Sequence, residues 1–109
     1  MSRLDTIQMI GDLITKIDVM RGSLLPDDPH RHDLDDQRIL LDDKQKRLSR
    51  VVFDDTTPAF TDGAAKLAVI NGQIQDSFDE LDSLLNTLQL IESFTNSVTT
   101  LLSAVAPFA

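Results

Sequence analysis

Residues 67–105, LAVINGQIQDSFDELDSLLNTLQLIESFTNSVTTLLSAV, decide how this chain folds. Leu67, Ile74, Leu81, Leu88 and Leu102 fall at seven-residue steps, and Ile70, Leu84, Ile91, Val98 and Val105 form a second series three residues later. Phe78, Leu85 and Phe94 thicken the seam, while Ser77 and Thr95 interrupt it. A heptad pattern held over 39 residues without a proline belongs to a helix packed against other helices. Upstream of it, Thr57 reads as a cap and Pro58 as a first helical residue. The spacing therefore predicts one long helix over 58–105. Gly63, Gly72 and Thr95–Thr100 are its soft points. A break near Thr95-Asn96 is the alternative, folding the end back as a short fourth helix.

Two shorter helices are expected before it. Ser2 followed by Asp5 is a helix-start signal, and Leu4, Ile7, Ile10, Ile14 and Ile17 then alternate at three- and four-residue spacing. This reads as a helix over about 2–25. Pro26-Asp27-Asp28-Pro29 stops it, because the residue before a proline is pushed out of the helical region. Asp33 reads as the cap of a second helix over about 34–53, with Leu34, Leu41, Leu48 and Val52 as its stripe. Its acids cluster at the N-terminal half and its bases at the C-terminal half, which suits the helix dipole. Asp42–Lys46 and Asp43–Arg47 are i,i+4 pairs.

Composition agrees with an all-α class. The chain has 109 residues, no Trp, Tyr or Cys, and five Phe, so aliphatic side chains supply nearly all the packing. The net charge of −8 argues against nucleic acid and anionic membrane surfaces, which reward clustered Lys and Arg. All ten basic residues lie at or before Lys66, and residues 93–109 carry no charged side chain at all. No run is apolar for the ~18 residues a membrane span needs, and the first residues do not resemble a Sec signal. Cytoplasm is the expected compartment, with leaderless export as the alternative.

Length then sets the functional expectation. At 1.5 Å per residue the first two helices span ~35 and ~30 Å and the third ~70 Å. A helical hairpin or three-helix bundle built from them, with coiled-coil-like packing, leaves the end of the long helix without intrachain cover. The residues so exposed, Leu84, Leu88, Ile91, Phe94, Val98, Leu101, Leu102 and Val105, become the expected oligomer or partner interface. The chain is thus read as one helical domain, a non-enzymatic interaction or assembly module that self-associates or binds a helical partner. An adaptor, chaperone or immunity-type protein covering a basic partner is the second reading.

Chemistry is sparse. His30, His32 and the neighbouring acids form a polar interhelical loop. His32-Asp33 resembles the paired ligands of the HD hydrolases, but that family needs further His ligands on other helices, and the chain has no His outside this loop. Asp35, Asp36, Asp76 and Asp79 are the residues on which a divalent-ion hydrolase would depend. No cofactor is expected, and no phosphate loop or nucleophile constellation is present.

Overall fold

The computed structural model describes residues 2–78 and 84–105, and among these the chain is entirely helical apart from its turns. It forms α1 (Arg3–Gly22), α2 (Pro29–Arg50), α3 (Pro58–Phe78) and α4 (Leu84–Val105). The all-α class stands. The long C-terminal helix does not, because its heptad-spaced length is divided into α3 and α4, which pack against one another. A straight helix over 58–105 would be ~70 Å long, whereas the longest dimension of the Cα trace is 43 Å. Helix continues through Gly63, Gly72 and Thr95–Thr100. The interruption falls between Phe78 and Leu84 instead, and Leu81, counted in the seam, lies outside the described residues.

Caps define the starts. Ser2 and Asp5 close a reciprocal capping box: the Ser2 hydroxyl accepts from the Asp5 N–H, and the Ser2 N–H donates to the Asp5 carboxylate at 2.9 Å. The second helix begins about a turn earlier than expected. Asp28, not Asp33, is its N-cap, accepting the His30 N–H at 2.8 Å, and Pro29 occupies the first turn, where its missing N–H costs nothing. At α3 the Thr57 carbonyl accepts the N–H groups of Phe60 and Thr61, while its hydroxyl donates to the Asp54 carbonyl.

α1 with α2, and α3 with α4, form two antiparallel hairpins. In the first, Arg21 meets Asp35, Arg38 meets Asp18 at 2.7 Å, and Gln45 donates from Nε2 to the Ile7 carbonyl at 3.0 Å. These ion pairs are half-exposed and so fix register more than they add stability. In the second hairpin Ser77 meets Thr87 near one end, and Gly63 meets Leu101 near the other.

The two hairpins lie side by side. α4 packs closely on both α2 and α3, α1 approaches α3 closely at few points, and among the described residues the backbones of the diagonal pairs α1–α4 and α2–α3 do not come within 8 Å, Cα to Cα. Arg3 fixes the relative sense. Its backbone N–H donates to Asp55 at 3.0 Å, its guanidinium donates to the Phe53 carbonyl at 3.2 Å and lies over the Phe53 ring, and that ring pairs with Phe60 of α3. At the opposite end Lys16 of α1 stands above the Phe78 ring of α3. α1 and α3 are therefore parallel. The core between the hairpins holds Ile10, Leu13 and Ile17 of α1, Leu34, Leu41 and Leu48 of α2, Phe60, Leu67 and Ile74 of α3, and the inner face of α4.

Two glycines test this packing in opposite directions. A Cβ built on Gly63 would lie 2.6 Å from Leu101 Cδ1, in a contact already filled, whereas one on Gly72 meets nothing within 4 Å. Gly63→Val is expected to destabilise the fold by ~1–3 kcal/mol through overpacking. Gly72→Ala should stabilise it by ~0.5–1 kcal/mol through the restricted unfolded chain. Urea melts of the two variants against the parent check both signs.

Three aspartates, Asp5 and Asp54 exposed and Asp28 partly buried, carry a pH dependence. The Ser2 backbone N–H holds Asp5 below the usual carboxylate range, the His30 backbone N–H does the same for Asp28, and the Thr56 hydroxyl, then its N–H, for Asp54. A carboxylate whose pKa is depressed by folding adds stability above its unfolded value of ~3.9, and that stability is lost as pH falls through the folded value. Stability is expected to fall as the pH drops below about 4. The acid limb should be shallower in the Asp5→Asn, Asp28→Asn, Asp54→Asn triple variant, as read by melting temperature against pH.

Candidate functional site

The residues expected to form an exposed interface are, for the most part, interior. Leu88, Ile91, Phe94, Val98, Leu101 and Leu102 are buried within the single chain, and Leu84 and Val105 are half-buried against the same core. The expected overhang does not occur. Turning the chain back between α3 and α4 lays α4 in the angle between α2 and α3, so its apolar seam meets α3 on one side and α2 on the other.

The two interruptions of the heptad pattern are also interior. Ser77 and Thr95 are 4% and 3% exposed, and Thr87 is 2% exposed. The Ser77 and Thr87 hydroxyls hydrogen-bond to each other across the α3–α4 hairpin, Asn86 Nδ2 donates to Ser77 Oγ at 3.3 Å, and Thr95 donates to the Ile91 carbonyl at 3.0 Å. Buried hydroxyls satisfied in this way impose register at little net cost.

Apart from Leu85, counted in the seam but 63% exposed, what α4 leaves outside is a polar, nearly uncharged face. Gln89, Ser93, Asn96, Thr100 and Ser103 are all exposed and follow the alternating four- and three-residue steps of one side of a helix, with Glu92 beside them as the only charge. The Thr99 and Thr100 hydroxyls donate back to the Thr95 and Asn96 carbonyls. This face was missed by the apolar count. The absence of charge over 93–109 was its signal.

The acidic residues considered for metal chemistry are dispersed. Asp35 is bound to Arg21 and Asp36 lies 3.4 Å from His32. Asp76 is on α3, whose backbone stands diagonally across from α2, and Asp79 lies outside the described residues. Among the described residues no group of three or more His, Asp or Glu is placed to hold a metal ion. The α1–α2 turn carries an open cleft of about 540 Å³ lined by Arg21, Asp27, Asp28, Arg31, His32 and Asp35 between two prolines. It presents both signs of charge at once, and its acids are partly spent on the helix cap and on Arg21.

Surface character differs from end to end. The end bearing the α1–α2 turn also holds the C-terminus of α3 and the N-terminus of α4. Its described residues, 12–39, 67–78 and 84–92, carry nine acidic and four basic side chains. The rest of the described chain carries six of each. The exposed large apolar residues are scattered over all four helices and the turns, with Leu4, Leu25 and Val52 at 75%, 72% and 96% exposure. Leu4 and Val52, expected in helix stripes, lie outside the core: Leu4 is on the outer side of α1, and α2 ends at Arg50, before Val52. Among the described residues no helix is long and apolar enough to cross a membrane.

No family model, no curated protein and no solved structure matches this chain.

The interior position of the seam has a direct check. Ile91→Lys or Val98→Lys would place an unpaired ammonium among fully buried side chains. The expected cost exceeds ~4 kcal/mol. Loss of the cooperative melt by circular dichroism is the expected result. A folded variant of lower molar mass would instead place these residues between chains.

Proposed function

We propose that this chain is a non-enzymatic helical interaction module that self-associates or binds a helical partner through α4, using the side of that helix turned away from its own core. The observation that carries this reading is the lack of charge on that side. One carboxylate, Glu92, stands among Gln89, Ser93, Asn96, Thr100 and Ser103, on a chain in which 26% of residues are charged. Exposed α2, by contrast, bears Asp33, Asp36, Asp43, Lys46, Arg47 and Arg50. The centres of protein interfaces are depleted in charge, because each buried ion must be stripped of water. Short polar side chains also let a second helix approach closely. The four-three spacing of the face matches a helical partner, and the same spacing supports coiled-coil-like packing inside the module. Leu84 and Val105, half-exposed at the two ends of α4, are the members of the sequence-derived set a partner can still reach.

The adaptor reading retains one observation of its own, the excess of acid at the end bearing the α1–α2 turn. A basic partner would be drawn to that end rather than to α4.

The two readings separate on one variant. Ser93→Arg with Asn96→Arg alters exposed positions, so folding stability should stay within ~0.5 kcal/mol of the parent. Light scattering behind a sizing column should show association of the parent and its loss in the variant. Unchanged association would move the interface away from α4.

A further inference from the structure

The two ends of the molecule are chemically complementary. At one end, the last turns of α2 expose Lys46, Arg47 and Arg50, beside the exposed side chains of Val52 and Leu4. Leu4 belongs to this end because Arg3, its neighbour, is bound to Phe53 and Asp55. Acids are present here too: Asp5 is engaged with Ser2, Asp54 with Thr56, Asp55 with the Arg3 backbone and Asp42 with Lys46, while Asp43 on α2 and Asp62 on α3 are exposed without an ion-pair partner among the described residues. Among the described residues Lys46 is paired with Asp42, whereas Arg47 and Arg50 have no ion-pair partner. At the other end, the α1–α2 turn exposes Leu25 together with Asp27, Asp33 and Asp36. Asp27 and Asp33 have no ion-pair partner among the described residues, and Asp36 faces only His32.

Unpaired guanidiniums beside exposed apolar groups thus face away from one end, and unpaired carboxylates beside an exposed leucine from the other. From this we infer that the end of one copy bearing the unpaired Arg47 and Arg50 beside Leu4 and Val52 docks on the acidic turn of a second copy. The α2 helices then run head to tail, with Arg47 and Arg50 against Asp27 and Asp33, and Leu4 and Val52 against Leu25. Such a contact is heterologous. It uses different surfaces on the two molecules, so it propagates as an open chain instead of closing as a dimer. It is independent of the outward side of α4, which runs along the flank of the molecule.

Size makes the contact weak. The molecule is 23 × 17 Å in cross-section, so end-to-end docking buries about 400 Å² per copy, well under the ~800 Å² per partner of a standard stable interface. A net charge of −8 on each copy adds long-range repulsion. Attraction therefore comes from close pairs between the ends, which salt screens over a Debye length of ~10 Å at 0.1 M. Association should be concentration-dependent and reduced by raised salt.

The test uses two variants of the full chain that each disable one end: Arg47→Gln with Arg50→Gln, and Asp27→Asn with Asp33→Asn. All four positions are on the surface, and circular dichroism confirms that both variants fold as the parent does. By analytical ultracentrifugation at low salt, the parent should form a ladder of species, and each variant alone should be at least tenfold weaker in association. A one-to-one mixture of the two should recover dimers and nothing larger, since only one competent pair of ends remains per couple. A parent that stays monomeric at millimolar concentration overturns the inference, as do variants that associate like the parent or a mixture that stays monomeric. Binding of the parent to phosphatidylserine vesicles, lost in the Arg47→Gln, Arg50→Gln variant and without self-association, would assign the basic end to an anionic membrane instead. Loss of association in the α4 variant with the end variants unaffected would retain the lateral reading and reject this one.

Discussion

The structure depends on the burial of α4 in the angle between α2 and α3. The α1–α2 hairpin has a complete set of internal contacts, but its heptad-spaced Leu34, Leu41 and Leu48 need cover that α1 alone does not supply. The α3 backbone approaches α1 closely at few points and α2 at none. α4 fills the gap with Leu88, Ile91, Phe94, Val98 and Leu101, each at most 3% exposed. At about 1.5–3 kcal/mol for each large apolar side chain fully removed from water, this one helix face contributes an amount comparable to the whole net stability of a small domain. The aromatic contribution is small but well placed. Phe60 and Phe94 are the largest fully buried side chains, and Phe53 joins Phe60 to Arg3 where the two hairpins are linked.

Periodicity identified the buried faces well and their connection badly. Ile10, Leu13, Ile17, Leu34, Leu41, Leu48, Leu67, Ile74, Leu88, Ile91 and Val98 are interior as their spacing required. A seven-residue repeat, however, reports only that one side of a helix is apolar. Two antiparallel helices produce the same repeat when the chain between them preserves the count. Here Leu81 and Leu84 keep the series in step between Phe78 and Leu88, and no proline or glycine stands there to announce a stop. A continuous helix would leave this seam uncovered and so available to a partner, whereas a turned-back helix puts the same seam in the chain's own core. The earlier start of α2 has a simpler cause. Asp28-Pro29 is a cap followed by a first-turn proline, and Pro58 likewise opens α3, but the nearby Pro26 makes Asp28-Pro29 resemble part of a breaker.

Charge was legible as an amount and not as a distribution. The net value of −8 is a property of the chain, yet among the described residues the whole excess belongs to one end of the molecule. Only the pairing of helices shows that the α1–α2 turn shares an end with the C-terminus of α3. Likewise, the uncharged C-terminal segment could be noticed from composition, but which of its residues face outward depends on where α2 and α3 lie. Glu92, Ser93 and Asn96 are exposed because Ile91, Phe94 and Thr95 are not.

The seven residues between Arg50 and Pro58 join helices that stand diagonally opposite, without close backbone approach. Two hairpins, each closed by a short connection, are thereby separated by one segment that contributes little packing of its own beyond Phe53. Most contacts are consequently local in sequence, and the long-range ones lie chiefly within the two hairpins, with a smaller set where α4 meets α2. Low contact order of this kind favours rapid folding. The chain can assemble each hairpin while that segment is still unordered, leaving a single docking step between preformed halves to complete the molecule.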